Sequence, residues 1–266
     1  MKKLAVIGVC GKMGSSITAK LLEESDIEII GGIDIVNVGY DIGEIINTGL
    51  TGRKIYKTFE DLKSLKPNLL LDFTNIESSK KAIEWALENS VDIIVGSTGF
   101  NKSDLNLIEN KAIKSKSRVF IVPNFSIGAV IMAEISAIAA KYFESCEIIE
   151  LHHDKKKDAP SGTSLLTAEK ISSKLKTKKL RLNAGEKETL QGSRGAFVNG
   201  VHIHSIRLPG LLAHQEVLFG TVGQTLSIRH DSLDRNSFYP GVIMTIRSID
   251  KLGNFTYGLD KIMKFE

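Results

Sequence analysis

Hydrophobic and polar positions follow two textures along the chain. In the first half, short apolar runs at Leu4 to Ile7, Ile27 to Ile33, Leu69 to Phe73, Ile93 to Val95 and Val119 to Val122 alternate with amphipathic stretches. Apart from Glu28 and Asp72 these runs carry no charge, which is the pattern of parallel strands covered on both faces. Between them the spacing predicts helices, such as Lys12 to Glu24, where Met13, Ile17 and Leu21 recur every four residues, and Ser78 to Glu88.

After Pro123 the texture changes. A long apolar helix is predicted over Ile127 to Tyr142, then a strand over Glu147 to His152, and then a helix near Ser164 to Leu175. From Phe197 onward β-rich stretches with turn residues between them (Gly200 to Leu208, His214 to Phe219, Thr225 to Arg229) predict an open antiparallel or mixed sheet. A helix over Val242 to Leu252 and a strand-like Asn254 to Gly258 could return to the first domain. The expected class is therefore α/β: a Rossmann-type parallel-sheet domain, plus a smaller α+β domain with an open mixed sheet.

Composition narrows the function. With 42% hydrophobic residues, 25% charged residues and 23 glycines in 266 positions, the chain has the make-up of an ordinary folded protein. No run approaches the roughly 20 apolar residues of a membrane span, and the N-terminal apolar run is too short and glycine-cut for a signal peptide. A cytoplasmic protein with no membrane partner is expected. Cys10 and Cys146 match no metal or redox spacing. The net charge of +4 is mild, and lysines such as those from Lys170 to Lys179 lack interleaved aromatics. They read as a solvated helix face, with no nucleic-acid partner.

The segment AVIGVCGKMGSSI carries Gly8, Gly11 and Gly14 between a strand and a helix. Glycines there allow a tight turn and close approach of the backbone to a pyrophosphate, whose charge meets the helix N-terminus. Asp34, at the end of the second strand, is placed to accept bonds from ribose hydroxyls. The same carboxylate would repel a 2′-phosphate, so NADH is expected to serve at least as well as NADPH, although Lys12, Arg53 and Lys54 could offset the repulsion. Two later loops, Gly96-Ser97-Thr98-Gly99-Phe100 and Pro123-Asn124-Phe125-Ser126, follow strands and could approach a nicotinamide ring.

A second cluster lies in HHDKKKDAPSGTS, residues 152 to 164. The helix start at Gly162 and Thr163 can receive a carboxylate, and lysine adds a second positive group. A histidine beside that site can give or take a proton near neutral pH, which reduction of a C=C or C=N bond requires. His152 and His153 point to opposite faces if the strand persists, so at most one of them faces a given pocket. Neither an HExxH nor a cysteine pattern supports a metal at His152, His153 and Asp154, and none is expected.

These motifs, with GSTGF at 96 to 100, PNFSIGA at 123 to 129, ELHHDKKKDAPSGTSL at 150 to 165 and RLPGLLAHQEVLFG at 207 to 220, resemble the dihydrodipicolinate reductase family over essentially the whole chain. The resemblance implies NADH- or NADPH-dependent reduction of a small cyclic dicarboxylate in the diaminopimelate and lysine pathway. Hydride would go to C4 and a proton to the neighbouring carbon. It further implies that His152 is the proton donor and acceptor, that Lys156 is the catalytic lysine, and that His153, Gly162 and Thr163 meet substrate carboxylates. Gly8, Val9, Cys10, Gly11, Lys12, Met13, Asp34, Gly96, Ser97, Thr98, Ile121, Val122, Pro123 and Asn124 would hold the cofactor. Residues 1 to 125 would form the dinucleotide domain, with 236 to 266 returning to it, and 126 to 235 a substrate domain that assembles homotetramers. Among Lys155, Lys156 and Lys157, only the family register selects Lys156.

Overall fold

The computed structural model describes residues 1–176 and 185–265. The chain divides into two compact units, Met1–Phe125 with Phe238–Glu266, and Ser126–Ser237.

The first unit begins with β1 (Lys2–Ile7), α1 (Lys12–Leu21) and β2 (Ile27–Ile33). A short excursion follows: α2 (Ile42–Ile45), β3 (Ile55–Tyr56) and α3 (Phe59–Leu62). Then come β4 (Leu69–Asp72), α4 (Ile76–Glu88), β5 (Asp92–Val95), α5 (Lys102–Ile113) and β6 (Val119–Ile121). The excursion was outside the periodicity reading, because four-residue helices and a two-residue strand are shorter than any repeat that hydrophobic spacing can reveal.

The second unit holds α6 (Ile127–Ala139), β7 (Ser145–His152), α7 (Gly162–Ser172), β8 (Ala196–Val198), β9 (Val201–Arg207), β10 (Ala213–Thr221) and β11 (Gln224–Ser232). In the C-terminal part of the first unit, α8 (Tyr239–Ser248) leads to β12 (Phe255–Tyr257).

Seven strands of the first unit form a parallel sheet in the order β12-β6-β5-β4-β1-β2-β3. Its central strand β4 is buried throughout and its neighbours beyond their first residues, with Leu4, Leu69, Leu70, Leu71, Ile93 and Ile94 at 0% exposure. The chain runs outward from β1 in both directions, first to β2 and β3, then to β4 and beyond. The switch between β1 and β4 opens a crevice at the carboxyl ends of the strands, where ligands bind in such sheets.

The second unit is a five-stranded mixed sheet, β11-β10-β7-β9-β8, in which β7 and β9 run parallel and the other neighbours antiparallel. Cys146, Ile148, Val201, Ile203, Val217 and Phe219 point into a core shared with Ala139, Ala140, Ala168 and Ile171 of the two helices and the turn that follows α6.

The parallel and mixed sheets agree with the sequence reading, while several helix ends fall short of it. α1 stops at Leu21 and α6 at Ala139, three residues before the expected ends. In both cases the next residues continue with i to i−3 bonds, Glu23 N–H to Lys20 O (3.1 Å) and Tyr142 N–H to Ala139 O (2.9 Å). The last turn tightens, which apolar spacing does not register. α7 begins at Gly162, two residues early, because the Ser161 side chain caps it by accepting the Ser164 N–H at 3.2 Å. Of the expected lysine face from Lys170 to Lys179, α7 carries only Lys170, and residues 177–179 lie outside the described residues.

Candidate active site

In the first unit the sequence-predicted residues gather at the β1/β4 crevice. Gly8 has φ +77°, which a side chain rarely adopts, and a Cβ there would lie 2.9 Å from the Thr74 methyl. At Gly14 a Cβ would come within 2.0 Å of the Gly8 carbonyl oxygen, so α1 can pack this closely on the loop only with glycine. Gly11 is the N-cap of α1 and has no side chain with which to satisfy the first-turn N–H groups. The loop itself is anchored by Gly8 N–H to Ile33 O (2.8 Å) and Gly11 N–H to Gly8 O (3.0 Å). A backbone cradle followed by an uncapped helix start fits the pyrophosphate of a dinucleotide.

Asp34 closes one side of this cradle. Its Oδ2 accepts the Cys10 N–H at 2.9 Å and its Oδ1 accepts the Ile35 N–H at 2.7 Å, so the carboxylate is held at the loop by backbone donors. Arg53, a candidate for offsetting its charge, instead donates to the carbonyl oxygens of Ile29 (2.7 Å) and Thr51 (2.5 Å). Lys12 is exposed at the helix start.

Not every residue expected to hold a cofactor presents its side chain. Val9, Ile121 and Val122 are all at 0% exposure and belong to the core, so only their backbone could meet a ligand. Ser97 is buried while Thr98, next to it, is exposed. Gly96 lies against the rings of Phe73 and Phe125, which meet edge to face with centroids 5.7 Å apart.

In the second unit β7 delivers Glu150 and His152 to the same face of the sheet, two residues apart. Glu150 is at 0% exposure and bonds to His152 Nδ1. Arg207, which stands opposite His152 in the β7–β9 register, donates to both Glu150 oxygens, at 3.0 and 2.8 Å. Burial alone would push the Glu150 carboxyl up, but the bonds from His152, Arg207 and Ser205 outweigh it and bring it down to about 2. An ionised Glu150 can only accept, so His152 Nδ1 carries the hydrogen and Nε2 is the nitrogen available for exchange.

The loop after β7 folds back on this cluster. Arg207 donates to the Asp158 carbonyl oxygen at 2.7 Å, and Lys156 Nζ bridges the Asp158 carboxylate at 2.8 and 2.9 Å. The Lys156 bond holds the Asp158 carboxyl below its usual range. His153 follows the strand end, and its carbonyl oxygen accepts the Lys156 N–H at 3.1 Å. Gly162 and Thr163 form the first turn of α7, whose positive dipole end suits an anion.

Sequence reasoning carried Glu150 and Arg207 only as letters within motifs. A signal for Glu150 was present: it is a charge at an inward position of a strand whose other inward residues, Cys146 and Ile148, are apolar. Arg207 had no such signal, because the pairing of β7 with β9 joins residues 55 positions apart.

The doubly wound sheet with a glycine cradle at its switch point defines a dinucleotide-dependent oxidoreductase, and the second unit adds an imidazole bonded to a buried carboxylate and, after the strand end, the start of α7. Residues 2–125 match the N-terminal and residues 128–263 the C-terminal domain of dihydrodipicolinate reductase. The chain belongs to the dihydrodipicolinate reductase family, a family of NAD(P)H-dependent oxidoreductases serving diaminopimelate and lysine biosynthesis. It is 40% identical over 264 residues to the 4-hydroxy-tetrahydrodipicolinate reductase of Carboxydothermus hydrogenoformans, covering 99% of this chain and 100% of the relative. To the enzyme of the same name from Bacillus velezensis it is 42% identical, covering 98% and 97%. A dipicolinate-bound dihydrodipicolinate reductase from Paenisporosarcina sp. superposes with a TM-score of 0.84 at 36% identity, over 99% of this chain and 100% of the other. An amine dehydrogenase from Mycobacterium smegmatis (TM-score 0.71, 11% identity, 100% and 97% covered) shares the fold.

Proposed function

We propose that this chain reduces 4-hydroxy-tetrahydrodipicolinate with NADH or NADPH, with His152 as the proton donor and Lys156 as the catalytic lysine. The observation that carries this is the Glu150–His152–Arg207 arrangement, which fixes the imidazole tautomer and turns Nε2 toward the exchange role. When bound, the nicotinamide ring would supply a hydride to C4 of the conjugated cyclic imine that remains once the 4-hydroxyl group has left as water. His152 Nε2 delivers the proton to the neighbouring carbon, and the Gly162–Thr163 helix start with His153 holds the carboxylates. Lys156, kept near by Asp158, adds positive charge to the same anion. Gly8 to Met13, Asp34, Gly96 to Thr98 and the Ile121 to Asn124 segment hold the dinucleotide, Val9, Ile121 and Val122 through their backbone. Asp34, whose carboxylate is held by backbone N–H groups with no arginine bonded to it among the described residues, favours NADH at least equally.

The homotetramer belongs to the same proposal. Both helices of the second unit cover the Cys146–Ile148 face of its sheet, and the other face carries Ile149, Leu151 and Leu218 among paired charges, with Leu218 37% exposed. A second copy covering that face would bury these residues. Among the described residues no helix is long and apolar enough to cross a membrane, in keeping with a cytoplasmic site of action.

Substrate-dependent NADH oxidation tests the activity. Turnover with freshly prepared 4-hydroxy-tetrahydrodipicolinate is expected, and no turnover by folded protein sinks the reading. Lys156→Ala should lower kcat or raise substrate KM far more than Lys155→Ala or Lys157→Ala; equal effects at all three would remove Lys156 from its role. Light scattering should give four copies, and a monomer would end the tetramer proposal.

A further inference from the structure

Beneath the first unit's crevice, Asp72, Thr74 and Ser79, which have none of the roles assigned above, form a chain of polar groups that ends on Ser97. Asp72, the last residue of β4, is at 0% exposure, in register with Ile7 of β1 on one side and Val95 of β5 on the other. A carboxylate among such neighbours is costly unless its oxygen atoms are fully bonded. Its Oδ1 accepts the Thr74 N–H at 3.0 Å and the Thr74 hydroxyl at 2.6 Å, and its Oδ2 accepts the Ser79 hydroxyl of α4. Ser79, itself buried, meets the buried Ser97 hydroxyl at 2.6 Å. Burial pushes the Asp72 carboxyl up, and the bonds from Ser79 and Thr74 oppose it.

The direction of these bonds is fixed by the acceptor at one end. Ser79 gives its only hydrogen to Asp72, so toward Ser97 it can only accept. Ser97 therefore donates inward, to Ser79. Its hydroxyl is spent on the network, while Thr98 stands exposed beside it. The same residue touches both loops of the crevice, through its carboxylate on Thr74 and its main-chain carbonyl on Gly96. Thr74 is the residue that a Cβ at Gly8 would strike, and the Asp72 carbonyl oxygen accepts the Gly96 N–H at 2.8 Å.

We propose that Asp72 is a positioning residue: acting through Ser79, it pins Ser97 inward and so presets the 96–99 backbone and Thr98 for the nicotinamide end of the dinucleotide. This rests on the reading of Gly96 to Thr98 as cofactor-binding. A structural carboxylate could sit anywhere in the sheet, but this one stands at the ligand end of its strand and its bonds lead to a ligand loop.

Amide hydrogen exchange and dinucleotide binding by the full chain test it, with Ser79→Ala, Ser79→Thr and Asp72→Asn. In the wild type, NADH should slow exchange at residues 96–99 more than ADP-ribose, which lacks the nicotinamide. If the two slow it equally, the cofactor reading of this loop fails, and the inference with it. Given that protection, Ser79→Ala should speed exchange at 96–99 in the ligand-free protein and raise the NADH dissociation constant about tenfold, the scale of one lost buried hydrogen bond. Its affinity for ADP-ribose should stay within about twofold, and Ser79→Thr, which keeps the hydroxyl, should restore NADH binding. Asp72→Asn should follow Ser79→Ala wherever it folds. An unchanged NADH affinity in folded Ser79→Ala, or equal losses for NADH and ADP-ribose, would overturn the assignment.

Discussion

The two units build their sites from different materials. In the first, the crevice is made of backbone: a positive φ at Gly8, a helix start without a side-chain cap, and an Asp34 carboxylate bonded to main-chain N–H groups. In the second, the site is made of charged side chains, with buried Glu150 gripped by His152 and Arg207, and Lys156 by Asp158. A backbone site recognises what all dinucleotides share, and the fold that carries it is kept by proteins of little sequence likeness, such as the amine dehydrogenase at 11% identity. A side-chain site selects one reaction. On the proposed reading, dinucleotide binding falls to the first unit and chemistry to the second, and substitutions in each should separate accordingly.

The largest effect is expected in the second unit. His152→Ala should lower kcat by roughly 10²-fold or more, the usual scale for an acid/base group, while leaving the NADH dissociation constant within about twofold. Steady-state kinetics with a separate binding titration checks both, and weakened NADH binding would break the division of labour. Glu150→Ala leaves Arg207 without its carboxylate and should cost about 3 kcal/mol in urea unfolding, at the low end for a broken buried pair because Arg207 keeps some contact with solvent. A loss below about 1 kcal/mol would mean that the cluster relaxes without strain.

The pH dependence sharpens the same point. The Glu150 pKa is depressed in the folded protein, to about 2, so its stabilisation is complete above the unfolded value near 4.5 and is lost as pH falls through the folded one. Stability should therefore decline between about pH 4.5 and 2, and Glu150→Gln should flatten that decline in urea midpoints measured across the range.

In the first unit the effects should be smaller and fall on binding. Gly14→Ala places a Cβ against the Gly8 carbonyl oxygen, and the displaced helix should weaken NADH about tenfold, the scale of modest overpacking, with kcat at saturation nearly unchanged. A fall in kcat without a change in affinity would place the glycine loop in the chemistry. Smallest is the cofactor ratio. Asp34→Asn keeps an acceptor for the loop but removes the charge, and should move the kcat/KM ratio of NADPH to NADH upward by about threefold to tenfold.

Much of the fold was legible because burial on both faces leaves a plain mark. The apolar runs at residues 27–33, 69–73 and 93–95, charged only at Glu28 and Asp72, announced parallel strands, and Gly8, Gly11 and Gly14 announced the turn between β1 and α1. The excursion with α2, β3 and α3 was not legible, since it is held by particular contacts such as Asp41 accepting from Gly43 and Thr51. Those contacts follow no period. Within the site, residues at local spacing could be read and long-range partners could not. The bond from Ser79 to Ser97 spans 18 positions, and neither serine differs in the sequence from the exposed serines around it.

By itself the sequence determined the class of both domains, the place of the dinucleotide cradle and the segment His152 to Thr163, because each depends on neighbours within a few residues. Tertiary structure decided which atoms work there. Strand pairing, a non-local event, set Arg207 opposite His152 and gave Glu150 two side-chain hydrogen-bond donors. That fixed the His152 tautomer, while contacts within the first unit turned Ser97 inward, left Thr98 exposed and bonded Arg53 to carbonyl oxygens away from the role its charge had suggested.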